Sequence, residues 1–424
     1  MPKSSRTDAA LPVARRPRVR ATLLALGPAF VAAIAYVDPG NVAANITAGA
    51  RYGYLLLWVL VLANAIAVLV QYQSAKLGLV TGRSLPELLG ERLATGPRRA
   101  YWVQAELVAA ATDIAEVLGG AIALQLLFGI PLLLGGVIIG IASMGLLVVQ
   151  SRRGQRSFEA IIITLLGVIT VGFVTGLFFT DLNAGEALKG LIPRFEDSGS
   201  VLLATSMLGA TVMPHVIYLH SALARDRHGL QTPGDAEEPG RMRRLLVVTR
   251  WDVGGALFVA GAVNIAMLLF AASSLRGIGA TDTIEGAHAA VVATLGPVIG
   301  VIFAIGLLAS GLASTSVGTY AGSAIMGGLL KVRVPLLARR VVTLIPALVV
   351  LGIGFDPTRA LILSQVVLSF GIPFALVPLV WLAGSKPLMG EFANRLPLRI
   401  GGWASAVIIT ILNVLLIVLV VGGF

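Results

Sequence analysis

The chain of 424 residues contains no cysteine, which removes disulfides and thiolate metal ligands together. Charge is scarce as well. Asp, Glu, Lys and Arg account for 12% of residues, about half of what an ordinary soluble domain carries. Only four histidines are present, and no His-Glu-x-x-His pattern or nucleophile pair supports an intramembrane metalloenzyme. Apolar residues fill the space instead, at 57%. They form runs long enough to cross a bilayer and lack the alternation of strands, so the expected class is an all-α polytopic membrane protein. The balance of +11 charges would suit a nucleic-acid binder. The basic residues lie between apolar runs, however, where they anchor a protein at an anionic membrane surface, so no nucleic-acid partner is expected.

Residues 1–20 read as a disordered basic cytoplasmic tail. The apolar stretch after them runs into Asp38-Pro39-Gly40-Asn41 and reads as a retained membrane segment rather than a cleaved secretory signal. Eleven segments are expected, at about 21–50, 54–78, 101–127, 131–150, 158–180, 199–224, 251–275, 296–328, 339–355, 358–383 and 402–423. The first part of the uncharged stretch 289–330 is expected to be a short surface helix. Of the 32 Lys and Arg, 26 fall in the tail and in alternate connections, five on the opposite side, and Lys76 at the end of the second segment. That asymmetry places the N-terminus in the cytoplasm and, with eleven segments, the C-terminus outside a multi-pass cell membrane protein.

Segments 1 and 6 are each interrupted by a proline, Pro39 and Pro214, with polar residues beside it. Five segments separate the two, so the second unit is inverted relative to the first. Paired broken helices in inverted halves point to a binding site at the bilayer midplane. The expected layout of the single transporter domain, 21–424, is a first repeat over about 21–180, a second over 198–383, and an extra helix at 402–423.

Asp38 is a carboxylate within an apolar segment, and Pro39 and Gly40 stop the helix from continuing there. Asn41 adds an amide oxygen close by. Asp-Pro-Gly-Asn is also good turn chemistry, which would leave Asp38 a solvated cap; the matching break in segment 6 favours a site. Pro214 has no N–H for the Ala210 carbonyl, four residues back, and Met213 offers a thioether at the same point. Hard oxygens with one soft sulfur favour manganese, iron, cobalt or cadmium over magnesium and calcium. A lone methionine is more often plain packing; the helix break argues otherwise here.

Glu106, Asp113 and Glu116 fall on one stripe of segment 3 and can line a proton exit path. Arg339 and Arg340 are either their partners or positive-inside flanking residues, at equal weight. His215, directly after the break, suggests proton transfer or gating. His220 is expected to be interfacial, and His228 and His288 to lie at the surface. Asn264 and Gln365 are polar residues in apolar helices, more often interhelical glue than ligands. Asn45 lies within a membrane segment, so its Asn-Ile-Thr is no glycosylation acceptor.

These residues resemble the Nramp family of divalent metal transporters. Asp38-Pro39-Gly40-Asn41 is similar to its segment 1 signature, Ala210-Thr211-Val212-Met213-Pro214-His215 to its segment 6 signature, and Ala111-Thr112-Asp113-Ile114-Ala115-Glu116 to its acidic third helix, with likeness over about 21–424. The resemblance implies the inverted-repeat, LeuT-type fold shared with amino-acid/sodium symporters, helices 1 and 6 being unwound. It implies metal ligation by Asp38, Asn41, the Ala210 carbonyl and Met213, joined by Gln365 in some states. It implies proton co-transport through Asp38, His215, Asp113 and Glu116, with Arg339 and Arg340 on the exit route. Met213 is present, whereas magnesium-carrying relatives lack that methionine. Divalent metal ions, protons and the lipid bilayer are then the partners, with no cofactor and no obligate protein partner. A symporter of amino acids or other solutes on the same fold and a channel are the rivals.

Overall fold

The structure is a computed structural model and describes residues 28–153, 155–228, 240–278, 283–332 and 334–422. The basic tail, the start of the first apolar segment (21–27) and the acidic Asp235–Glu238 stretch lie outside them. Among the described residues there is no strand.

Helix boundaries follow the local chemistry. Helix α1 (Pro28–Ala35) ends three residues before α2 (Pro39–Tyr52). Asp38 caps α2 and Pro39 occupies its first turn, where a missing N–H costs nothing. After α3 (Leu57–Thr81), α4 (Leu85–Arg92) and α5 (Thr95–Phe128) come α6 (Leu132–Arg153) and α7 (Gln155–Val174), which a 3-10 turn extends to Phe179. A short α8 (Ala184–Lys189) precedes α9 (Ser198–Thr211), which Asp197 and Ser200 open as a reciprocal capping box. Pro214 opens α10 (Pro214–His228). Then follow α11 (Arg241–Ser274), α12 (Ile284–Leu295), α13 (Pro297–Leu330), α14 (Leu336–Gly352), α15 (Pro357–Ala383), α16 (Lys386–Met389) and α17 (Leu396–Gly422).

Eight helical spans are long and apolar enough to cross a membrane among the described residues. The first expected segment appears as the two short helices α1 and α2, and the ninth as α14, 17 residues long. Leu107, Ile141, Val171, Phe258 and Val342 are all more than half exposed; an apolar exterior of that extent belongs in lipid.

The outline agrees with expectation, and the ends move. The seventh segment was expected from 251, but α11 starts at Arg241, because its basic first turns simply continue the helix beyond the apolar run. The eleventh starts at Leu396 rather than 402. Helices α4 and α8 fall in stretches expected to be plain connections; Ser84 with Glu87 and Asn183 cap them. The short helix before α13 is present as α12, and it is half-buried rather than lying on the surface.

The helices around the breaks pack at very short range. A Cβ on Gly209 of α9 would lie 1.9 Å from the Gln365 carbonyl oxygen of α15, and one on Gly40 would lie 1.9 Å from the Gln365 side-chain nitrogen. Only a missing side chain allows backbones this close. The neighbourhood of both helix breaks is thereby closed around Gln365.

Candidate functional site

Asp38, Asn41, Ala210, Met213 and Gln365 are all fully buried, at 0% exposure. The turn and site readings of Asp38 merge. It caps α2 by accepting from the Asn41 N–H at 2.7 Å, and it does so away from solvent. The Asn41 side chain joins the two breaks: its NH2 donates to Asp38 Oδ1 at 2.9 Å and to the Ala210 carbonyl at 3.0 Å. The Ala210 oxygen is thus free of the helix ladder, as Pro214 requires, and turned to the first break. Gln365 Nε2 lies 3.4 Å from Asp38 Oδ2, while its Oε1 has no hydrogen-bond partner. Thr211 Oγ1 lies 3.5 Å from Asn41 Oδ1. Met213 stands with Val212 in the two-residue gap between α9 and α10.

Side chains from other helices hold the first break open. The Tyr36 carbonyl accepts from Asn264 Nδ2 at 2.7 Å, and the Val37 carbonyl accepts from the Ser310 hydroxyl at 2.6 Å. Asn264 also accepts from Asn45 at 2.7 Å. Each interaction satisfies a buried group that would otherwise cost roughly 1–3 kcal/mol. Sequence reading had Asn264 as glue, and glue is its part here; Ser310 and Tyr36 were missed, because nothing local distinguishes them from other small or aromatic residues in apolar helices.

The acidic stripe of α5 divides. Arg340, fully buried, donates to Asp113 Oδ1 at 2.8 Å and to the Ser143 hydroxyl at 2.9 Å. Arg339 binds Glu106 through two nitrogens, at 2.7 and 3.1 Å. Of the two readings of these arginines, partnership with the acids is the one present. Glu116, 1% exposed, forms no ion pair among the described residues; Ser314 is a neighbouring hydroxyl, and the carboxyl lies over Gly318 of α13, whose absent side chain leaves it room.

His215 Nδ1 is 3.3 Å from the Thr112 hydroxyl, one residue before Asp113, so it links the second break to the acidic helix. His220 is not interfacial. It is 1% exposed, and its Nδ1 is 2.8 Å from Gln71 Oε1, whose amide donates to the Tyr36 hydroxyl at 2.5 Å. It is buried because α10 packs on α3, where a Cβ on Gly78 would lie 2.0 Å from the Ser221 carbonyl. His288 is half-buried against the Phe303 ring rather than at the surface. The side chain of His228 lies outside the described residues.

Among the described residues no three His, Cys, Asp or Glu side chains converge as a metal centre. The site at the breaks holds a single carboxylate, with amide and carbonyl oxygens around it, and is rich in neutral donors. Such a set suits a cation that must bind and leave rather than remain.

A family profile described as "Natural resistance-associated macrophage protein-like" (Nramp) matches residues 29–419. A curated relative, the divalent metal cation transporter MntH of Mycobacterium tuberculosis, is 61% identical over 94% of this chain and 92% of its own. A variant of the Eremococcus coleocola manganese transporter has a TM-score of 0.85 at 31% identity, covering 98% of this chain and 91% of that one. MhsT in complex with L-phenylalanine, 15% identical with a TM-score of 0.62, shares the fold alone.

Proposed function

Because this chain belongs to the Nramp family, a family of transporters rather than enzymes, we propose that it carries divalent transition-metal ions, manganese and iron foremost, into the cytoplasm together with protons. The observation that carries the reading is the Asn41 side chain, which lies within 3.0 Å of both the Asp38 carboxylate and the Ala210 carbonyl and so joins two helix breaks. Turning the Asn41 amide over exchanges its NH2 for Oδ1. A cation between the breaks then meets the Asp38 carboxylate, the Asn41 and Ala210 oxygens and the Met213 sulfur, with Gln365 Oε1, which has no other partner, at hand. The one soft ligand is what favours manganese, iron, cobalt and cadmium over magnesium and calcium.

The proton is assigned to a route from Asp38 through His215 and Glu116 to the Asp113–Arg340 and Glu106–Arg339 pairs. Support comes from the contact of His215 with Thr112, and from Glu116, a carboxyl buried beside the Asp113–Arg340 pair with no cation of its own among the described residues. A proton moving inward gains about 2.3 kcal/mol per 100 mV. Asp38 belongs to the metal and proton sets alike, so the two cargoes meet at one carboxylate.

The working topology is eleven membrane segments, with two inverted repeats over about 21–180 and 198–383 and α17 outside them. The protein sits in the cell membrane with the N-terminus cytoplasmic and the C-terminus outside; the segregation of 26 of 32 basic residues supports this. Above the breaks, a cavity of about 550 Å³ lined by Thr47, Leu203, Asp356 and Arg359 is then the outer vestibule. A symporter of organic solutes remains the rival; the carboxylate at the breaks opposes an anionic solute.

Uptake into proteoliposomes under a pH gradient tests the reading. Asp38→Ala is expected to abolish manganese uptake. Met213→Ala is expected to weaken cadmium most and to admit magnesium or calcium better. Unchanged ion selectivity in Met213→Ala would remove the soft-ligand argument.

A further inference from the structure

A cavity of about 800 Å³ shares no lining residue with the helix breaks. It lies between α3, α11, the turn Gly390–Phe392 and the start of α17. Its polar lining is one-sided: Lys76, Arg243, Arg250 and Arg395 face a single acid, Glu391, which Arg243 already binds at 2.7 Å. Asn394 fixes the floor. Its N–H donates to the Ala383 carbonyl, its amide donates to Gln73 Oε1, and its Oδ1 accepts from Lys76 at 2.9 Å. Arg395, next in the chain, is thereby held at the rim, exposed like Arg250.

Apart from Tyr72, the rest of the lining is apolar, with Phe392 and aliphatic side chains that include Val68, Leu69, Val247 and Leu398. The surroundings face lipid: Trp251 is 75% exposed and Ile400 59%, and an exposed Trp beside an Arg is the pattern of a membrane interface. A cavity with an unbalanced basic rim and an apolar wall, opening at headgroup depth, matches one ligand chemistry: a phosphate monoester or diester attached to hydrocarbon.

We propose that this cavity seats an anionic phospholipid of the adjacent leaflet, with its phosphate on Arg250 and Arg395 and its acyl chain along Leu69, Val247 and Leu398. The proposal is independent of which ion the protein carries.

The test uses the purified full chain, stripped of lipid in neutral detergent and titrated with phosphatidylglycerol, phosphatidylcholine and soluble glycerol 3-phosphate, with bound ligand counted by native mass spectrometry. Phosphatidylglycerol is expected to bind at least tenfold more tightly than phosphatidylcholine. Each rim arginine near an anionic headgroup contributes about fivefold in affinity. Arg250→Ala/Arg395→Ala is therefore expected to weaken phosphatidylglycerol about 25-fold and phosphatidylcholine, whose phosphate is offset by its own ammonium, by less than about threefold, and Arg250→Lys/Arg395→Lys to recover most of the loss. Brominated phosphatidylglycerol added to the unaltered protein is expected to quench tryptophan emission more than brominated phosphatidylcholine, by an increment that Trp251→Phe removes; this readout does not depend on the arginine variants folding. Equal affinity for the two lipids, unaltered phosphatidylglycerol binding in the folded double alanine variant, equal quenching, or glycerol 3-phosphate binding as tight as the lipid would each overturn the proposal. So would a tenfold gain in lipid affinity on neutralising Asp235, Glu237 and Glu238, which would make the chain's own acidic stretch the occupant.

Discussion

The Asp113–Arg340 pair offers the sharpest test of how the acidic helix is held. Both side chains are almost wholly buried, at 3% and 0% exposure, and among the described residues the guanidinium's other hydrogen bond goes to the Ser143 hydroxyl. Removing one member of such a pair leaves a charge in a medium that cannot solvate it, at a cost of about 3–5 kcal/mol; removing both is often close to neutral. Arg340→Met and Asp113→Asn are each expected to lose about that much in detergent-driven unfolding. The double variant is expected to lose much less than either single one, which gives a coupling energy of at least about 3 kcal/mol, at or beyond the upper end for residues in contact. Arg340→Lys should behave like a partial loss, because one ammonium cannot reproduce the forked contact with Asp113 and Ser143. Metal-driven proton uptake, followed with a pH-sensitive dye in liposomes, is expected to stay low in the double variant even though its stability returns. Additive single losses, within about 0.5 kcal/mol, would show that the pair does not act as a unit and would refute the reasoning.

Gly209→Ala is expected to cut metal uptake at least tenfold, since the new methyl would lie 1.9 Å from a backbone oxygen of α15 and such overpacking costs about 1–3 kcal/mol; Gly145→Ala, with nothing within 4 Å, should be indistinguishable from the parent in the same assay. Glu116→Gln should keep metal binding by calorimetry while uncoupling it from proton movement, and an unchanged proton-to-metal ratio would exclude the residue from the route. Between α2 and α9, the Tyr52 hydroxyl, helped by the Ser200 N–H, holds the Asp197 carboxyl below the usual carboxylate range. A depressed folded value stabilises above the unfolded one and is lost as pH falls through the folded value, so acid should loosen this contact between α2 and α9. Tyr52→Phe should flatten the fall of unfolding temperature between pH 5 and pH 3 (approximate limits, set by the ordinary Asp value near 3.9), and equal slopes would argue against the contact.

The parts of the site legible in the sequence were those with a local cause. Proline alone is no mark of a gap, since Pro346, Pro373 and Pro378 lie inside continuous helices; it was the polar residues beside Pro39 and Pro214 that let the two gaps, and the freed Ala210 carbonyl, be placed from one chain. The acids at 106, 113 and 116 share a face because of helical spacing alone. What escaped was pairing at a distance. Nothing near Tyr36 says that Gln71 will donate to its hydroxyl with His220 on the far side of that amide, and nothing near Val37 points to Ser310. His220 looked interfacial because burial depends on α10 lying against α3, which rests on the bare backbone at Gly78. The early start of α11 escaped for another reason: hydropathy marks where lipid begins, and a helix is free to continue beyond it.

The separation of the first break from its supports also bears on biosynthesis. The groups that satisfy the carbonyls of Tyr36 and Val37 come 228 and 273 residues later in the chain, and Gln365 lies 327 residues after Asp38. At about 5–20 residues per second of translation, the ribosome needs roughly 14–55 s to deliver Ser310. Throughout that interval the nascent first segment, with an aspartate and two unmatched peptide oxygens, must wait at the insertion machinery or at the lipid boundary, and it settles only when the later helices arrive.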